Sequence, residues 1–121
     1  IKSDQLAAVV EVGPASANDQ LLVIDRLFVD GSYERAHEIL EGLRPVLEDR
    51  LAWFTTPDIA QELVIRSLEI AEATAGCPGV SEQWSEDSRW LETFGWDAQS
   101  VQRSWEQGDA PRCVLSDPAS S

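Results

Sequence analysis

The 121-residue sequence contains no methionine, a single lysine (Lys2), a single histidine (His37) and two cysteines. One imidazole per chain excludes any site that needs two and removes most nucleophile–base pairs. With Lys2 as its only lysine, the chain has no Gly-x-x-x-x-Gly-Lys loop to cradle the phosphates of a nucleotide. Basic residues are scarce as a class: nine Lys and Arg face 22 Asp and Glu, a net charge of −13. Such a surface repels phosphate, which excludes nucleic acid and anionic membranes as partners and leaves a basic protein or plain solubility. No apolar run nears the roughly 20 residues that cross a bilayer. No segment alternates Asp and Asn around a glycine as a calcium loop does. No cofactor or metal site is expected.

What is present is helical patterning. The 43% hydrophobic content takes the chain out of the disordered class despite its charge, and its length suits a single domain, 1–121. Helix signals recur over 4–11, 19–29, 33–43, 46–54, 57–75, 82–94 and 98–107, although the short run Leu6-Ala7-Ala8-Val9-Val10 in the first fits a strand as well. Strand signals are nearly lacking. The expected fold is therefore all-α, a compact bundle of about five to seven helices. In the segment before Gly31, Leu21, Ile24, Leu27 and Phe28 share a face. Leu22, Val23 and Val29 widen that face, so burial on most sides is expected. Pro45 is expected to break the next helix or to open a new one. Thr56-Pro57-Asp58 combines a cap, a first-turn proline and a first-turn acid, and starts the central helix 57–75, which Gly76 ends. Gly76-Cys77-Pro78-Gly79 reads as a loop, Ser81 and Asp97 as caps of a C-terminal helix pair within 82–107, and 108–121 as an extended tail.

Cys77 and Cys113 fall on predicted loops that bracket this pair. A bridge between them would staple it around Trp84, Trp90, Trp96 and Trp105. Two unpaired thiols are the other reading, since spacing alone does not establish pairing geometry. The bridge implies the periplasm or secretion, free thiols the cytoplasm.

Two stretches resemble known families. Leu27-Phe28-Val29-Asp30-Gly31-Ser32-Tyr33-Glu34-Arg35-Ala36 resembles the turn of a tetratricopeptide repeat and makes residues about 20–45 look like one such helix pair. In that repeat the glycine closes the turn, the aromatic packs across it and the small residue lets the helices approach. The Cys-Pro start and Pro-x-Cys end of residues 77–113 resemble the C-terminal part of type VI secretion amidase-immunity proteins. That resemblance implies an inhibitor of a protein partner, with no binding residues carried over.

Candidate chemistry is sparse. Glu34 and His37 have the i, i+3 spacing of half a carboxylate-bridged di-iron site, which only a homodimer could complete with Glu62, Glu69 or Glu72. The alternative is a solvated helix face. Acidic pairs such as Glu48-Asp49 and Glu86-Asp87 are too abundant to mark a cleft. The tryptophans are more informative, because four of the five lie within residues 84–105. Trp84 and Trp105 fall on inward stripes. Trp96 sits on the turn between two helices, where solvent exposure is expected, with Trp90 near it. Glu86, Asp87 and Glu92 would rim these two rings with negative charge, a patch suited to a partner's arginines. The leading expectation is a non-enzymatic, acidic helical binding module, an inhibitor or immunity-type protein that acts on a basic partner. The alternatives are a cytosolic helix-hairpin scaffold or self-associating homodimer, and a dimeric carboxylate metal enzyme using Glu34 and His37.

Overall fold

The computed structural model describes residues 14–49, 56–108 and 113–115, and all regular structure among them is α-helical. Four helices follow in order: α1 (Pro14–Val29), α2 (Tyr33–Asp49), α3 (Thr56–Thr93) and α4 (Ala98–Glu106). The expected helix 4–11, the 50–54 end of 46–54, and residues 109–112 and 116–121 of the tail lie outside the described residues. The chain divides into two compact units, Ile1–Ile59 and Ala60–Ser121.

In the first unit α1 and α2 form a packed hairpin. Gly31 makes the reversal at φ 81°, in the left-handed region that favours glycine. The amide of Ser32 donates to the Leu27 carbonyl at 2.8 Å, and that of Gly31 to the Phe28 carbonyl at 3.0 Å, so the end of α1 is closed by backbone bonds. Phe28 meets Tyr33 edge-on across the turn, with ring centroids 5.4 Å apart. Ala36 is fully buried, and its small side chain lets the helices approach. The buried stripe is Ala17, Leu21 and Ile24 from α1 with Ala36, Leu40, Leu43 and Leu47 from α2.

Two expectations for this unit are corrected. Leu22, Val23 and Val29 do not widen the buried face: Leu22 is 64% exposed and Val29 83%. They lie around α1 from the buried Ala17, Leu21 and Ile24, and so share its outward side. Pro45 does not break the chain either, because α2 runs through it to Asp49. Proline removes the donor toward the Glu41 carbonyl, but Pro45 and Glu41 are both exposed and water can serve that oxygen. Leu43 and Leu47, buried on either side of the proline, hold the two halves in one line of packing.

The helix α3 begins where Thr56, Pro57 and Asp58 predict it, and Ile59, Ala60, Leu63, Val64 and Leu68 are buried along it. Gly76 adopts φ 68°, ψ −163°, a non-helical conformation that kinks the element, and helical geometry resumes at once with Cys77. The Gly76–Gly79 segment is thus a kink rather than the expected loop, and Ser81 lies inside a helix rather than capping one. Among the described residues the elements number four, because α2 runs through Pro45, the two helices that meet at the Gly76 kink form one bent element, and the expected helix 4–11 lies outside those residues. Gly79 is required by close approach: a Cβ there would run into that of Ala75 and lie 3.2 Å from the Ala71 carbonyl oxygen. Beyond the kink Val80, Trp84 and Leu91 are buried, and Val101 and Trp105 of α4 are buried as expected.

The thiols are paired. Cys77 and Cys113 form a disulfide with their Cα atoms 5.4 Å apart. The segment 113–115 is docked as well as bridged. Trp105 donates its indole N–H to the Cys113 carbonyl at 2.7 Å, Gln102 donates from Nε2 to the Leu115 carbonyl at 3.3 Å, and Leu115 is buried. No helix among the described residues is long and apolar enough to cross a membrane.

The entry to α4 provides a pH-sensitive contact. Asp97 caps the helix, accepting through Oδ1 from the amides of Gln99 and Ser100 at 3.0 and 3.2 Å, and through Oδ2 from the Ser100 hydroxyl at 3.1 Å. The bonds from Ser100 stabilise the carboxylate and hold its pKa below the usual aspartate range. A depressed folded-state pKa contributes stability above the unfolded value of about 3.9, and that contribution is lost as pH falls through the folded value. Asp97→Ala is expected to destabilise the protein by about 1 kcal/mol at neutral pH. In chemical denaturation the gap from wild type should narrow as pH drops below about 4.

Candidate functional site

Three aromatic rings gather where α3 ends and the chain turns toward α4. Trp90 and Phe94 are four residues apart, so both project from one side of the helix; their centroids are 6.3 Å apart at 66°. Gly95, at φ 78°, reverses the chain, and the Trp96 amide then donates to the Leu91 carbonyl at 2.9 Å. That bond folds the Trp96 ring back onto the other two. It meets Trp90 edge-on at 5.0 Å and stacks on Phe94 at 5.3 Å with an interplanar angle of 27°.

Trp96 lies at the bottom of the cluster. It is 8% exposed, which corrects the expectation that a turn residue shows a face to solvent. A turn has few sequence neighbours to cover it, but here the chain doubles back and supplies two rings from the preceding helix. The half-buried Trp90 and Phe94 present the remaining aromatic surface. Phe94 is half-buried and belongs to the cluster. The signal that places it in the cluster is its i, i+4 spacing from Trp90, which also sets the ring contact.

The acidic rim is smaller than the sequence suggested. Asp87 is 1% exposed, and Gln83 donates from Nε2 to its Oδ1 at 3.1 Å. It is a hydrogen-bonded core carboxylate, unable to meet a partner's charge. Glu86, one turn before Trp90, is exposed and shares its side of the helix. Glu92 is exposed but two residues beyond Trp90, about 200° around the helix, so it faces elsewhere. The exposed Arg89 adjoins Trp90, and Arg103 Nη2 lies 4.0 Å from Asp97 Oδ2, so positive charge is interleaved here. The structure therefore brings together Trp90, Phe94, Trp96 and Glu86, and leaves Asp87 and Glu92 out.

Glu34 and His37 are exposed on the first turns of α2. Among the described residues no group of three His, Cys, Asp or Glu side chains could hold a metal ion. Both cysteines are bridged, and a disulfide sulfur is not the thiolate that nucleophilic catalysis uses. Comparison with known protein families, curated proteins and solved structures finds no match to this chain.

Proposed function

We propose that this chain is a non-enzymatic, acidic helical binding module of inhibitor or immunity type, which docks on a basic protein through the Trp90–Phe94 surface. The observation that carries the reading is a preorganised aromatic cluster, two rings half-exposed over a buried third, on a chain of net charge −13. Rigid aromatic surface of this kind is what interface hot spots are made of, and the net charge would draw in a cationic partner. Glu86 beside the rings gives an incoming arginine a carboxylate and a π face together. The Cys77–Cys113 bridge favours an exported protein, periplasmic or secreted, because such bonds persist in oxidising compartments. The resemblance of residues 77–113 to amidase-immunity proteins points the same way.

The test is capture from the source organism with immobilised wild-type protein and with Trp90→Ala and Glu86→Lys variants. Wild type is expected to retain a basic protein that salt releases, since steering is screened within a Debye length of about 8 Å at physiological ionic strength. Each variant should weaken binding, Trp90→Ala by about 2 kcal/mol in titration against the retained protein. A partner held equally by all three proteins, or held without dependence on salt, sinks the proposal.

A second reading, self-association, is favoured by the apolar stripe on α1. Leu22 lies midway between Asp19 and Arg26, which are two turns apart on its flank, and all three are exposed. A second copy packed antiparallel would bring the two Leu22 side chains together and set each Arg26 beside the other copy's Asp19. Such a contact works against the repulsion of two chains of charge −13, so salt should strengthen it, opposite to its effect on a basic partner. Sedimentation is expected to show a weak dimer that grows with added salt and disappears in Leu22→Asp.

A further inference from the structure

The disulfide is asymmetric. Cys77 is exposed, whereas Cys113 is 8% exposed and lies beside a carboxylate, with Glu72 Oε2 3.6 Å from its Sγ. A bridged sulfur carries no proton, so this approach is not a hydrogen bond. It sets a negative charge against the sulfur that would have to accept another. Glu72 is half-buried one turn before Gly76, on the same helix that presents Cys77 just past the kink. The backbone around Cys113 is fixed independently of the sulfur, by the Trp105 bond to its carbonyl, the Gln102 bond to the Leu115 carbonyl and the burial of Leu115.

We propose that the bridge opens in one direction only, by attack at Cys77, and that Glu72 guards it by opposing departure of the Cys113 thiolate. The co-reactant is a low-molecular-weight thiol or dithiol. Its thiolate forms a new bond to Cys77 Sγ, the Cys77–Cys113 bond breaks, and the electron pair leaves on Cys113 Sγ. A second thiolate then takes the reductant's sulfur, forming the oxidised reductant and releasing Cys77 as a thiolate; both cysteine sulfurs are protonated from water. Direct attack at Cys113 is hindered twice, by burial and by the carboxylate that an incoming thiolate must approach. After attack at Cys77, the new charge on Cys113 develops beside Glu72, and like-charge repulsion both slows the step and favours its reversal. Because the 113–115 segment keeps its other anchors, the two sulfurs stay close and the bridge re-forms when the reductant is removed. Glu72 is a positioning residue here. It touches the leaving sulfur and acts only through its charge. The inference is independent of the proposed partner.

The first measurement uses the wild-type protein. Brief exposure to glutathione, followed by acid quench and peptide mapping, should find the mixed disulfide on Cys77 with Cys113 as the free thiol. The second compares reduction by excess dithiothreitol in wild type and Glu72→Gln, an isosteric change that removes the charge. At low ionic strength the variant should be reduced about three- to tenfold faster, and high salt should shrink the difference. Adducts on Cys113, a Glu72→Gln rate equal to or below wild type, or an acceleration indifferent to salt overturns the proposal. So does a reduction rate that stops rising with dithiothreitol concentration at the rate of global unfolding, because the folded bridge would then not be the species attacked.

Discussion

Trp96→Ala should destabilise the protein by about 3–5 kcal/mol, the range for deleting a large aromatic from a packed site. The ring is 8% exposed and contacts both Trp90 and Phe94, so truncation opens a cavity and removes two aromatic contacts together. The position on a turn argued from sequence for the reverse, a substitution with little effect on folding. Thermal or denaturant unfolding decides between them, and a loss under about 1 kcal/mol would mean the ring is not packed as described. The result also governs how the proposed interface is probed. Trp96 cannot be used, since its removal would collapse the surface that Trp90 and Phe94 present. Trp90 and Glu86 are the residues that separate binding from folding.

Replacing both cysteines by serine should cost about 3–4 kcal/mol. The bridge closes a loop across a sequence separation of 36 residues, and the loop-entropy model assigns a stabilisation of this size to restriction of the unfolded chain. The double variant should still show helical circular dichroism, because the helices' own hydrogen bonds and the buried Trp84, Leu91, Val101 and Trp105 do not depend on the sulfurs. Its melting temperature should fall to that of fully reduced wild type. If reduction leaves the wild-type melting temperature unchanged, the two cysteines are not bridged in the folded protein, and the case for export loses its main support.

The parts of this architecture that were legible in the sequence are those set by local rules. Periodicity placed the helices, Thr56-Pro57-Asp58 and Asp97 marked two helix starts, and Gly31 and Gly76 marked two changes of direction. The tryptophan-rich stretch 84–105 was also visible, and with it the neighbourhood of the candidate site. What failed depended on non-local packing. Whether Leu22 and Val29 are covered depends on what lies against α1, and periodicity reports only which residues share a side. Pro45 was read by its missing donor, although it and Glu41 are both exposed, where water can replace the lost bond. Asp87 was read as surface because it is charged, yet a carboxylate with a hydrogen-bond partner can be accommodated inside. Cys77 and Cys113 could be paired only by geometry, because 5.4 Å between Cα atoms is a property of the fold and not of their spacing.

The Trp105 indole supplies a native reporter for the end of the chain. Its N–H is committed to the Cys113 carbonyl in a buried setting, so that one proton can exchange with water only when the 113–115 segment lifts or the unit around it opens. Resolved by nuclear magnetic resonance, its exchange rate follows segment docking separately from global unfolding. Measured in the oxidised and reduced protein, it states how far the sulfurs, rather than the hydrogen bonds and Leu115, keep the segment in place.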